Sequence, residues 1–195
     1  MARIKDRLLL GTIAGLGGNI VKFGIIEIAK RLKWAEFNGV DTAAGIMLPA
    51  HELAEPRGRL VGFIGDAIVA ATLGTATTYI LSITGKDNAI FKGASSGLFM
   101  WTALYGAMGG GISTVRPASP KTVLSQFIAH GAYGAITAAL VKRLGDPSLF
   151  TGEIPLNASS KSQPTTSQPQ QQEKPVQISE APGSPHRQQE QVQYH

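Results

Sequence analysis

Three isolated ionisable side chains, Lys22, Asp66 and His130, interrupt otherwise apolar stretches of this 195-residue chain. In a lipid environment such residues mark either a route for ions or protons or a polar lock between helices, because an unpaired charge there is costly. Asn19 lies on the same helical face as Lys22, and Gln126 and Tyr133 flank His130 by one helical turn. Asn19, Lys22, Asp66, His130 and Tyr133 are therefore the candidate site. Two readings follow: a structural cluster that sets helix packing, or a transport path that uses Lys22, Asp66 and His130. Glu27 stands near the end of its segment and can reach the interface, and Lys22 can snorkel the same way.

Other chemistries are poorly represented. Cysteine is absent, which removes disulfides, zinc–thiolate sites and a catalytic thiol. Gly15, Gly17 and Gly18 sit inside an apolar helix with the wrong spacing for a dinucleotide fingerprint. Gly85-Lys86 lacks the earlier glycine of a phosphate-binding loop, and no His-Glu-x-x-His or Gly-x-Ser-x-Gly pattern occurs. No catalytic residue, cofactor site or metal site is assigned, and the chain reads as a non-enzyme. The pI of 9.6 reflects Lys and Arg at segment ends, where acidic headgroups attract them, rather than a nucleic-acid surface.

The elements that must position these residues are four stretches long enough to cross a bilayer, which takes about 20 apolar residues. They run over residues 8–28, 60–83, 91–115 and 123–141. A soluble bundle would carry charges on an outward face, yet none occurs from Gly93 to Val115. Arg3, Lys5 and Arg7 before the first stretch resemble a signal-peptide start, but Glu27, Lys30, Arg31 and Lys33 occupy the region of a cleavage site, so the helix is retained. The expected fold is all-α: a polytopic membrane protein with a compact bundle of four transmembrane helices in residues 1–150. Residues 151–195 hold ten Gln and six Pro and few apolar side chains, which predicts a disordered tail.

Four crossings place both termini on one side. Lys and Arg are evenly divided between the two sides, and only the basic start of the first helix favours termini inside. Small residues recur every fourth position: Gly11 and Gly15; Gly58, Gly62, Ala70 and Gly74; Gly93 and Gly97; Gly134 and Ala138. In lipid such ridges let helices approach closely. The short link between the second and third segments predicts an antiparallel hairpin, and Gly109-Gly110-Gly111 should loosen the third segment. The first connection holds a short apolar helix, with Asp41 or Thr42 as its cap, lying at the surface or interface. At 1.5 Å per residue, Lys22, Asp66 and His130 fall within ~5 Å in depth, which predicts a Lys22–Asp66 ion pair with His130 in the same layer.

Lys5-Asp6-Arg7-Leu8-Leu9-Leu10-Gly11-Thr12-Ile13-Ala14-Gly15, Thr84-Gly85-Lys86-Asp87 and His130-Gly131-Ala132-Tyr133-Gly134 carry a resemblance. With Asn19 and Lys22, they resemble small four-helix membrane proteins of unknown function from spore-forming Firmicutes, over residues 4–145. The resemblance implies a bacterial cytoplasmic membrane and adds no catalytic residue. Expected partners are the lipid bilayer and a second copy or another membrane protein. The leading expectation is a non-enzymatic structural or accessory membrane subunit; the alternative is a small transporter or channel component.

Overall fold

The structure, a computed structural model, describes residues 3–107, 113–115 and 119–152. Among these the regular structure is helical, with no strand: α1 (Arg7–Arg31), α2 (Gly39–Met47), α3 (Pro56–Thr84), α4 (Ala89–Ala107) and α5 (Pro120–Leu144). Local chemistry fixes their ends. Asp6 caps α1 by accepting from the Leu9 N–H at 2.7 Å, and Lys30 and Arg31 complement the dipole at its last turn. Pro56 and Pro120 open α3 and α5, where a missing N–H costs nothing. Gly85, at φ 78°, ends α3 in a conformation that a side chain would disfavour.

Three helices, α1, α3 and α5, are long and apolar enough to cross a membrane. Large apolar side chains point outward along them and α4: Ile20 is 74% exposed, and Phe91 and Phe99 are each 75% exposed. Gly, Ala, Ser and Thr fill much of the inside. Buried Thr77 and Thr78 satisfy their hydroxyls on the carbonyls one turn back, Leu73 and Gly74, so they pack as small residues.

The bundle is built on close backbone approach. α1 packs on both α3 and α5, and α4 packs on α5. A Cβ on Gly15 would collide with the Ala70 carbonyl and one on Gly74 with the Gly11 carbonyl, so the small ridges of α1 and α3 meet. Gly93 and Gly97 meet Gly134 in the same way. α3 and α4, though consecutive, make few contacts with each other. α3 and α4, expected as an antiparallel hairpin, each pack more extensively on another helix than on one another. Both helices present bulky Leu, Ile and Phe to the outside; α3 turns Gly74 to α1 and Gly62 and Gly65 to α2, while α4 turns Gly93 and Gly97 to α5.

Several other expectations are corrected. The stretch 91–115 is not one helix: Ser113–Val115 are non-helical and lie on α2, with the Thr114 N–H donating to the Gly45 carbonyl at 2.9 Å. Gly109-Gly110-Gly111 falls outside the described residues. Neither Asp41 nor Thr42 caps α2. Asn38 does, accepting from the Asp41 N–H at 3.0 Å while the Asp41 carboxylate accepts from the Asn38 N–H at 2.9 Å. α2 is also less superficial than expected, since Ala43, Ala44 and Gly45 are buried and the helix packs along α3.

The end of the expected folded part, residues 147–150, packs back on the bundle. Leu149, the last residue of a 3-10 turn at Pro147–Leu149, and the following Phe150 are buried in one core cluster with Leu10, Leu81 and Val141. Ile4 pairs with Gly145, and the Arg7 guanidinium donates to Ser82 Oγ at 3.1 Å and to the Leu149 carbonyl at 3.3 Å. The start of α1 and the end of α5 thus lie together. The tail expectation concerns residues of which 153–195 lie outside the described ones.

Candidate functional site

Asp66 faces α1 from the small-residue ridge of α3. Lys22, four residues past Gly18 on α1, meets it: Nζ lies 2.7 Å from Oδ1, and the two side chains are only 8% and 9% exposed. The second carboxylate oxygen accepts from Asn19 Nδ2 at 2.9 Å. Both oxygens of Asp66 are therefore engaged from α1, by residues three apart on one helical face. The Asn19 amide oxygen is buried with no hydrogen-bond partner among the described residues. Separating such a pair leaves a buried charge, and direct contact makes the two mutually dependent.

The first connection closes over this pair. Gly39 opens α2 against it: a Cβ there would stand 2.5 Å from Asp66 Oδ1 and 3.1 Å from Lys22 Nζ. A second polar set holds α2 in place. Asn38 Nδ2 donates to Glu27 at 2.9 Å, and Lys30 lies 3.8 Å from Glu27 and 3.6 Å from Asp41. The preceding loop docks on the start of α5. The Glu36 N–H donates to Thr122 Oγ1 at 3.2 Å, Gln126 Nε2 to the Phe37 carbonyl at 3.3 Å, and Lys121 stands 5.8 Å from the Trp34 ring centroid.

His130 and Tyr133 come from α5. Tyr133 is buried and donates its hydroxyl to the Ala70 carbonyl at 2.7 Å, tying α5 to α3 one turn from Asp66. His130 Nδ1 lies 2.7 Å from the Gln126 carbonyl of its own helix, and its ring stands 6.2 Å from that of Trp101. Lys22, Asp66, His130 and Tyr133 all line one cavity of about 110 Å³. Asn19 joins them through Asp66 but is not in the wall. α2 and α4 add Gly39, Thr42, Ala43, Ile46, Trp101 and Leu104 to the lining.

Sequence reasoning did not anticipate the roles of Gly39, Phe37 and Trp101. The Asn38-x-x-Asp41 spacing is a capping-box pattern that locates the start of α2, but nothing in sequence says that α2 lies over Asp66. Among the described residues no three His, Asp or Glu side chains gather as metal ligands. No protein-family model, curated protein or solved structure matches the chain.

Proposed function

We propose that this chain is a non-enzymatic integral membrane protein, a structural or accessory subunit of the bacterial cytoplasmic membrane, with α1, α3, α4 and α5 as four spans. The membrane reading is supported by the outward-facing Leu, Ile and Phe combined with an interior of small residues, an arrangement suited to lipid rather than water. The observation that carries the structural role is the Lys22–Asp66 pair, which joins α1 to α3 in direct contact with little exposure. A charge pair closed in this way holds helices in register.

The second reading, a small transporter or channel component, draws on one observation: Lys22, Asp66 and His130 border a common cavity. Flux of protons or small ions into proteoliposomes, compared between the parent chain and Asp66→Asn, separates the two. The structural reading expects no flux above empty vesicles from either. A pH-dependent flux abolished by Asp66→Asn would overturn it in favour of transport.

A further inference from the structure

The cavity beside the ion pair has two chemically different ends. Its walls are apolar, with Phe37, Leu73, Trp101 and Leu104 among them, while Lys22, Asp66 and His130 form a polar end. Ile46, Val69 and Leu104 line it yet are 47%, 39% and 42% exposed, so it opens where α2, α3 and α4 meet the surroundings. Two of the helices that border the opening, α3 with Val69 and α4 with Leu104, make few contacts with each other.

The polar end specifies a ligand. Lys22 and Asp66 cancel each other's charge, so a free ion gains no net attraction and would have to break a 2.7 Å contact. The Gln126 carbonyl can only accept, so His130 Nδ1 carries the hydrogen of their 2.7 Å bond. A neutral ring then offers Nε2 as an acceptor, and Nε2 has no hydrogen-bond partner among the described residues. The ammonium of Lys22 has further N–H groups beyond the one given to Asp66. A hydroxyl is both donor and acceptor and suits this end without carrying a charge. For scale, an apolar cavity of about 150 Å³ holds a benzene ring; at about 110 Å³ and open on one side, this one suits a single ring whose substituent leads outward.

We propose that this cavity binds the ring of a neutral phenol-type amphiphile, its hydroxyl against His130 and Lys22 and its apolar tail leaving between α3 and α4 into the bilayer. The inference rests on the reading of the bundle as membrane-embedded. The test uses the full chain in nanodiscs with 4-decylphenol as probe and decylbenzene, which lacks only the hydroxyl, as control. Saturable binding of one 4-decylphenol per chain is expected, about tenfold tighter than decylbenzene, the scale of one hydrogen bond in a buried site. His130→Phe should bring the two probes to equal affinity, and Val69→Trp, which fills the mouth, should abolish saturable binding of both. Equal affinity of the parent chain for the two probes would overturn the proposal without any variant, as would unchanged binding in folded Val69→Trp. Release of the protein from membranes by alkaline carbonate would instead overturn the membrane reading on which the site depends.

Discussion

Lys22 and Asp66 are separated by 44 positions and meet at 2.7 Å between α1 and α3, with Gly39 of α2 set against both. The pair is the point at which three helices become interdependent, because none of the three groups can be enlarged or neutralised alone. Lys22→Met and Asp66→Leu should each destabilise the bundle by about 3–5 kcal/mol, since each leaves a buried charge unpaired. The double variant should lose less than the sum. A double-mutant cycle from denaturant unfolding in detergent measures this coupling, and strictly additive losses would remove the pair as the organising contact.

Glycines at the helix crossings should be far more sensitive than a glycine on the outside. Gly15→Ala and Gly134→Ala each place a methyl group into the facing backbone, and overpacking of this kind costs about 1–3 kcal/mol. Gly24, whose Cβ would meet nothing within 4 Å, should accept Ala with unchanged or slightly higher stability. Thermal unfolding of the three variants gives the ranking, and comparable losses at Gly24 and Gly15 would contradict it.

Asn38→Ala should loosen α2 without unfolding the bundle. It removes the cap on the Asp41 N–H and the bond to Glu27, and loss of an N-cap costs about 0.5–2 kcal/mol. Amide hydrogen exchange should accelerate in residues 39–47 and stay unchanged in the middle of α5. Uniform acceleration would mean that the cap supports the whole fold.

The segment after α5 belongs to the core. A chain ending at Gly152 keeps Leu149 and Phe150 in their cluster and should unfold like the full chain, whereas one ending at Asp146 should be clearly less stable. Phe150→Ala alone should cost up to about 3–5 kcal/mol, the range for a buried aromatic, tempered here by a site at the bundle's end. Equal melting of the 152- and 146-residue chains would show that the contact is dispensable.

The turn that delivers this segment should respond to acid. Hydrogen bonds from Ser148 Oγ at 2.7 Å and the Ser148 N–H at 3.0 Å favour the charged Asp146 carboxylate and hold it below its ordinary value of 3.8. A lowered value means that the contribution is present above the ordinary carboxylate range and is lost as pH falls through the lowered one. The Ser148 amide resonance should report a midpoint below that of a free aspartate. A midpoint at or above it would show that the turn does not depend on the carboxylate.

The sequence by itself determined the class of object and its polar cast. Apolar runs without charges, small residues every fourth position and three isolated ionisable residues depend only on composition and helical period, both local properties of the chain. Even the depth match of Lys22 with Asp66 followed from the rise per residue. Which helices touch was decided elsewhere. Short loops suggested that α3 should lie along α4, but the glycine ridges meet pairwise, Gly15 with Gly74 and Gly93 with Gly134, and so draw α1 and α5 to the centre. A ridge in sequence has no address; only complementary backbone surfaces in three dimensions assign one. The same holds for Gly39, an ordinary first residue of a capped helix until the fold lays it on Asp66, and for the cavity, whose walls come from all five helices and the loop before α2. Burial and close approach between distant segments are properties of the packed bundle, so the tertiary structure alone could turn a list of polar residues into a site.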